Sequence, residues 1–180
     1  DLYSEGDRPA VMIIAGVLSK MGVFGFIRFY EFVPSALESL RYLIIPLCIV
    51  GIIYGALVAW RQTVMTRILA YSSLSHMGMI AAALFSGTLV GMQGSLFQMF
   101  THGILAASLF FVVDAVIRRT GDTSVYGSAG LAQANPRLSV YFFIIVLASV
   151  GLPLTSGFIG EFYMLWGLTQ SKNWNGAQAG

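Results

Sequence analysis

Four ionisable side chains lie in the middle of four different apolar stretches: Lys20, His76, His102 and Glu161. A charged side chain at the centre of a bilayer costs roughly 2.5 to 3.5 kcal/mol on insertion scales, so such residues are rare unless they serve an ion pathway, a relay or a partner charge. Lysine, histidine and glutamate side chains can each gain and lose a proton. These residue types therefore predict proton or ion handling inside the membrane.

Each histidine lies on a polar stripe of a predicted helix. His102 follows Ser95 and Gln98 at the spacing i, i+3 and i+7. His76 lies one turn after Ser72. Residues at these spacings share one helix face, which in a membrane bundle points inward. Histidine reaches either protonation state near neutral pH, which suits a relay, while a hydrogen-bonded structural role is the alternative for either histidine alone.

Glu161 follows an interruption of the last apolar stretch. The segment from Gly151 to Gly157 reads GLPLTSG and places a proline and two glycines near bilayer depth. Proline removes a backbone donor and breaks a helix, and the freed backbone groups need protein or trapped water as partners. Broken helices mark ion or substrate sites in transporters. A simple kink is the alternative, but the carboxylate just after the break favours an ion site.

Lys20 lies in the middle of the apolar stretch 9–29 and is flanked by Gly16, Gly22 and Gly25. Glycines allow close helix approach or leave room for water. We expect the amine to be desolvated and to switch between its charged and neutral forms when a neighbouring charge moves. The alternative is a lysine that extends to the membrane surface, which its distance from both ends of the stretch disfavours.

The composition is that of an integral membrane protein. Of the 180 residues, 57% are hydrophobic and 10% are charged, with a mean hydropathy of +0.78, beyond the range of a soluble domain. The net charge of +2 comes from dispersed arginines, so nucleic-acid binding is not expected. Cys48 is the single cysteine and predicts a packing role without a metal centre. Asp114, with Arg118 four positions later, predicts a surface ion pair.

Five stretches are long enough to cross a bilayer core of about 30 Å, because about 20 helical residues rise that distance. They cover residues 9–29, 41–60, 68–87, 89–117 and 138–169. The small residues around Gly87 predict a tight hairpin between the third and the fourth. We expect one all-α transmembrane bundle over 1–180, with a broken last helix. The polar first residues without an initiator methionine predict an internal piece of a larger membrane protein.

The strings ILAYSSLSHMGM, FTHGILAASLFF and GLPLTSGFIGEF, in this order and spacing, closely resemble the antiporter-like proton-translocating subunits of NADH-quinone oxidoreductase (complex I), of the subunit M or chain 4 type. The resemblance covers essentially the whole chain and implies helices eight to twelve of an about fourteen-helix antiporter-like fold. It implies that Lys20 is the central lysine of a hydrophilic axis across the membrane. His76 and His102 would then bridge this axis, and Glu161 would end it on the broken helix.

The resemblance also implies the setting of the chain. It would be a subunit of an enzyme, a proton-pumping translocase that passes electrons from NADH to quinone, and would hold no redox centre itself. NADH, FMN, iron-sulfur clusters and quinone would belong to partner subunits, and antiporter-like L and N type subunits would be its neighbours. A bacterial plasma membrane is expected, with a mitochondrial or thylakoid membrane as alternatives.

Three other functions fit the same features. A subunit of a multisubunit Na+/H+ antiporter and a subunit of a membrane-bound hydrogenase would share the helix plan, and a helical scaffold with inert buried polar residues is the third. The sequence has no glycine-rich phosphate loop after a strand and no set of cysteines, which argues against nucleotide, flavin or iron-sulfur binding in this chain. The neighbouring genes would discriminate best among these functions.

Overall fold

The computed structural model describes residues 8–171, and the polar ends of the chain lie outside this range. The described part is helical, and its β pairing is limited to an isolated bridge between Val64 and Ser124. A π-helical turn, Ile14–Leu18, joins the first two α-helices, and a short 3-10 helix, Tyr126–Ser128, follows the longest one. The α-helices in chain order are α1 (Arg8–Ile13), α2 (Ser19–Phe32), α3 (Pro34–Arg61), α4 (Met65–Leu84), α5 (Leu89–Thr120), α6 (Leu131–Ala134), α7 (Pro136–Ser149) and α8 (Ser156–Thr169).

Three of the described helical segments are long and apolar enough to cross a membrane: Ala10–Phe29, Ser39–Arg61 and Leu89–Thr120. The first of them combines α1, the π turn and α2. The third predicted stretch corresponds to α4, which has 20 residues and is not among these three segments. The fifth is divided between α7 and α8, of 14 residues each, and 14 helical residues rise only about 21 Å. The all-α membrane fold is thus as predicted, while the helix bounds differ.

A hairpin joins α4 to α5, as the small residues predicted. Gly87 has a φ of +72°, a conformation that favours glycine and turns the chain. Thr88 caps α5, because its hydroxyl accepts a hydrogen bond from the backbone nitrogen of Gly91 at 3.1 Å. The hairpin sets the two histidine-bearing helices side by side.

Glycines bring α5 and α8 into close contact. A Cβ on Gly167 would lie 2.3 Å from the Cα of Gly91, and a Cβ on Gly94 would lie 2.7 Å from the backbone nitrogen of Met164. Small residues let membrane helices approach until their backbones touch. The helix that carries Glu161 therefore packs directly on the helix that carries one of the histidines.

The last predicted span is broken, as the sequence indicated. Residues 150–155 separate α7 from α8, and within them Gly151 and Leu154 have φ values of +70° and +83°. This left-handed conformation costs a residue with a Cβ roughly 1–2 kcal/mol, so Leu154 holds backbone strain at the break. Pro153 lies between them without a backbone donor. The break thus turns the chain inside the predicted span.

Candidate functional site

Lys20 lies in the first turn of α2, directly after the π turn, and is only 6% exposed. Its Nζ donates hydrogen bonds to the carbonyl oxygen of Ala15 and to the Oγ of Ser19, the second at 2.9 Å. The Ser19 hydroxyl in turn donates to the Ala15 carbonyl at 2.9 Å. A π turn shifts helical hydrogen bonding to i and i+5 and often occurs at functional sites. Neutral acceptors of its own helix therefore hold the amine.

The stem of Lys20 packs against α5, next to the residue that follows His102. The π turn and α5 approach closely here, since a Cβ on Gly103 would lie 2.8 Å from the carbonyl oxygen of Gly16 and 3.9 Å from the Cε of Lys20. The lysine stem therefore lies beside the turn of α5 that carries His102.

The two histidines contact each other edge to face. Their ring centroids lie 5.1 Å apart, with the planes at 72°. His102 is 7% exposed, and its Nε2 lies 3.5 Å from the Oγ of Ser73. Its Nδ1 is buried and has no hydrogen-bond partner in the part of the chain that the structure describes. One ring nitrogen of His102 is thus left for a water molecule or a moving proton.

A small cavity of about 30 Å³ lies beside the two imidazole rings. A water molecule needs about 10–15 Å³ of such space and two to four polar partners. The cavity therefore fits about two water molecules by volume. Its polar lining comes from α4, α5 and the end of α7: Ser72, Ser73, His76, Gln98, His102 and Ser149.

Glu161 faces His76 from α8. Its Oε1 lies 3.8 Å from the Nδ1 of His76, which is too long for a hydrogen bond but close enough for an ion pair when the imidazole is protonated. The carboxylate also lies against the break, because a Cβ on Gly151 would lie 2.4 Å from the Oε2 of Glu161. Gly151 thus has two roles: it adopts the left-handed conformation of the turn, and it leaves the space that the Glu161 carboxylate occupies.

The structure brings all four predicted residues together. Each of them comes from a different helix: Lys20 from α2, His102 from α5, His76 from α4 and Glu161 from α8. Each approaches the next in this order. Among residues 8–171, no three histidine, cysteine, aspartate or glutamate side chains lie close enough to hold a metal ion. The arrangement offers a base or acid at each position and a small cavity beside the two histidines, which suits the movement of protons.

The sequence patterns did not identify two serines of the site. Ser19 supports Lys20, and Ser73 contacts His102. The helical spacing identified Ser72, which lines the cavity, whereas the contact to the His102 ring comes from Ser73. A serine beside a buried lysine is a local signal that could have identified the first of these. The contact of Ser73 with His102 depends on how α4 packs on α5, and the residue pattern of one helix does not predict this packing.

The remaining predictions near the site have mixed outcomes. Of the three glycines that flank the lysine, Gly16 makes a close helix contact, whereas a Cβ on Gly22 or Gly25 would meet nothing within 4 Å in the described structure. The ion pair between Asp114 and Arg118 is confirmed, with 2.8 Å between Oδ2 and Nε. This pair lies near the end of α5 and forms no part of the cluster.

Known proteins are similar to this chain over nearly its whole length. Residues 1–180 match the family described as "NADH:quinone oxidoreductase/Mrp antiporter, TM". The NADH-quinone oxidoreductase subunit M of Rickettsia prowazekii is 38% identical over 169 residues, which are 93% of this chain and 34% of that relative. The NAD(P)H-quinone oxidoreductase chain 4 1 of Picosynechococcus sp. is 42% identical over 172 residues, 95% of this chain and 32% of that relative. The chain thus spans about a third of the length of these relatives.

Solved structures share the fold. A chain of respiratory complex I from Thermus thermophilus with bound NADH matches with a TM-score of 0.81 and 38% identity, over 86% of this chain and 33% of that one. A chain of the membrane-bound sulfane sulfur reductase, an archaeal respiratory membrane complex, matches with a TM-score of 0.85 and 26% identity, over 95% of this chain and 36% of that one. These similarities confirm the resemblance to subunit M or chain 4. The chain belongs to the NADH:quinone oxidoreductase/Mrp antiporter transmembrane family.

Proposed function

We propose that this chain is part of a proton-translocating membrane subunit of an NADH-quinone oxidoreductase, of the subunit M or chain 4 type. Protons pass through it by way of Lys20, His102, His76 and Glu161. The observation that carries the proposal is the sequence of close approaches among side chains from four helices: the Lys20 stem lies against the turn of α5 that carries His102, His102 contacts His76 beside a small cavity, and His76 faces Glu161. Ionisable groups at membrane depth are costly, so a connected set of four favours a pathway over an inert scaffold.

Lys20 acts as the switchable cation of this path. Its hydrogen-bond partners among residues 8–171, Ala15 and Ser19, are neutral, so these partners add no negative charge that would hold the proton on the amine. When the amine releases a proton, its repulsion of a proton on the imidazoles disappears. The next proton can then settle on His102. The lysine charge therefore sets the order in which the positions of the path are occupied.

The histidines pass the proton towards Glu161. An imidazole can accept a proton at one nitrogen and release one from the other. The Nδ1 of His76 faces the carboxylate at 3.8 Å, a gap that closes by a small movement or through a bridging water. Glu161 takes the proton beside the broken helix, where freed backbone groups favour hydration, and releases it towards one face of the membrane.

The energy for this movement comes from electron transfer elsewhere in the complex. We place NADH, FMN, iron-sulfur clusters and quinone in partner subunits, and L and N type antiporter-like subunits beside this one. The names of the Rickettsia and Picosynechococcus relatives support the NADH-quinone assignment. The bacterial origin of these relatives supports a bacterial plasma membrane. The full-length subunit would supply the other helices of the fold.

NADH-driven proton uptake into sealed vesicles tests this proposal when the full complex carries the variant Lys20→Ala. We expect uptake to fall at least about tenfold, as for loss of an acid-base group, while the complex assembles and oxidises NADH with an artificial acceptor. Lys20→Arg recovers little, because a guanidinium stays charged. Met21→Ala shortens the exposed neighbouring side chain and serves as the control. Parent-level uptake by the Lys20→Ala complex would end the assignment.

A cation antiporter subunit is the second candidate, because the family description names Mrp antiporters beside the quinone oxidoreductases. Such a protein would exchange Na+ for protons without electron transfer. The same vesicles separate the two functions when a Na+ gradient is imposed without NADH. Proton movement that needs NADH and quinone supports the oxidoreductase, whereas movement driven by Na+ alone supports the antiporter.

A further inference from the structure

Gln98 is a buried amide that the proton path above does not use. It lies on α5 one turn before His102 and is 3% exposed. Residues four positions apart share a helix face. The two side chains line the cavity of about 30 Å³ together with His76. The amide group is thus placed beside both imidazoles.

A glycine of α8 makes room for this amide. A Cβ on Gly160 would lie 2.2 Å from the Oε1 of Gln98 and 2.9 Å from its Cβ. No other residue fits at position 160 while the glutamine keeps its place. Because Gly160 directly precedes Glu161, the amide lies between the histidine-bearing face of α5 and the acid-bearing turn of α8.

The amide oxygen of Gln98 is buried and has no hydrogen-bond partner within residues 8–171. Buried polar atoms are normally paired with protein groups or with water, because an unpaired one is costly. The Nδ1 of His102 is also buried and also lacks a hydrogen-bond partner within these residues. The Oε1 of Gln98 and the Nδ1 of His102 thus both lack a partner within the described residues, and both residues line a cavity with room for about two water molecules. A water molecule shared by the two atoms would satisfy both.

We propose that Gln98 is a positioning residue that holds a water molecule in the cavity beside His102 and His76 and orients it for proton transfer between the two imidazoles. This inference rests on the proposed function. A proton moves from an imidazole N–H to the water oxygen, while a proton of that water moves to the next base. The amide contributes hydrogen bonds and keeps its own protons, so it is unchanged after each transfer.

The test uses the complete complex in sealed vesicles and the variant Gln98→Met, which keeps the side-chain length but removes the amide. We expect proton uptake to fall about tenfold, the effect of losing a hydrogen bond that orders the path. The ratio of rates in H2O and D2O should rise, because proton transfer becomes rate-limiting. Gln93→Met makes the same change at an exposed position of α5 and should leave both values at the parent level.

Two further variants separate positioning from packing. Gly160→Ala leaves the glutamine intact but pushes its side chain from its seat, so it should give the same loss and the same rise in isotope effect. Gln98→Glu has nearly the same shape and can still bind water, so it should assemble even where the methionine variant does not. It should retain uptake at low pH, where the new acid is neutral, and lose it as the acid ionises beside His76 and His102, with Glu161 on the facing turn of α8.

The outcomes distinguish this inference from the proposed function. Parent-level uptake by the Gln98→Met and Gly160→Ala complexes overturns the inference, and so does lost uptake without a change in the isotope effect. Lys20→Ala is measured in the same preparation. If that variant pumps normally, the proposed function itself fails; if it is impaired while the glutamine variants are normal, only the role of Gln98 is lost.

Discussion

The basic end and the acidic end of the site both lie at an interrupted helix, but the two interruptions differ. Before Lys20 the chain makes one π turn, and the helix continues into α2. Before Glu161 the helix stops completely, turns through two left-handed residues and starts again. The lysine uses partners on its own helix, whereas the glutamate contacts the preceding segment and another helix.

The difference follows from the chemistry of the two groups. An ammonium group only donates hydrogen bonds, and backbone carbonyls close by in the chain accept them without adding a charge. A carboxylate only accepts, and the side chain that faces it here at 3.8 Å is the imidazole of His76 from α4, which can pair with it when protonated. Local backbone geometry therefore supports the lysine, while tertiary packing supports the glutamate. Changes at the two ends should differ in size accordingly.

The largest effect is expected at Glu161. Glu161→Gln keeps the shape but removes the exchangeable proton, so NADH-driven uptake should fall at least about tenfold in an assembled complex. Glu161→Asp should keep part of the activity, limited by its shorter reach. Asp114→Asn, which removes the acid of the separate ion pair with Arg118, is the control and should pump normally. If the glutamine variant pumps as well as the parent, the acid only supports the break.

An intermediate effect is expected for Gly151→Ala, which leaves Glu161 in the sequence but removes its seat. The new Cβ would meet the carboxylate at 2.4 Å, so the acid must move and uptake should fall several-fold. Gly121→Ala controls for backbone strain, because this glycine has nearly the same φ of +71° and nothing within 4 Å among the described residues. Equal losses in the two variants would mean that strain, and not the position of the acid, limits pumping.

The smallest effect is expected at the basic end for Ser19→Ala. The amine loses one acceptor at 2.9 Å but keeps the Ala15 carbonyl, so uptake should fall by less than about fivefold, the effect of about 1 kcal/mol. Ser108→Ala removes a hydroxyl that also bonds the carbonyl four residues earlier, at 2.8 Å on α5, and is the control. A loss as large as that of Lys20→Ala would show that the serine is itself part of the path.

The sequence was sufficient for the features that depend on composition and local signals. Ionisable residues in apolar stretches predicted the four positions, small residues predicted the hairpin, and the segment from Gly151 to Gly157 predicted the break. Helix periodicity assigns a residue to a face, but it does not identify the partner opposite that face. The sequence therefore did not predict that Glu161 lies against Gly151 or that Gln98 lies against Gly160, because both contacts depend on how the helices pack.

The π turn before Lys20 is the clearest feature that the sequence did not predict. The stretch Ile14–Leu18 has ordinary helix formers and one glycine, so nothing in it signals an extra residue per turn. The turn coincides with the close approach of Gly16 to Gly103, which depends on how two distant helices pack. Propensity is a weak prior that tertiary contacts override.

The central claim is that the two ends belong to one path and that the histidines connect them. Proton uptake by complexes with His76→Gln, with His102→Gln and with both changes tests this claim most directly. Because water in the cavity can bypass one imidazole more easily than two, each single variant should lose less than the double, and the double should lose more than the product of the single effects. Independent effects that simply multiply, or parent-level uptake in the double variant, would contradict a connected path and leave the histidines as structural residues.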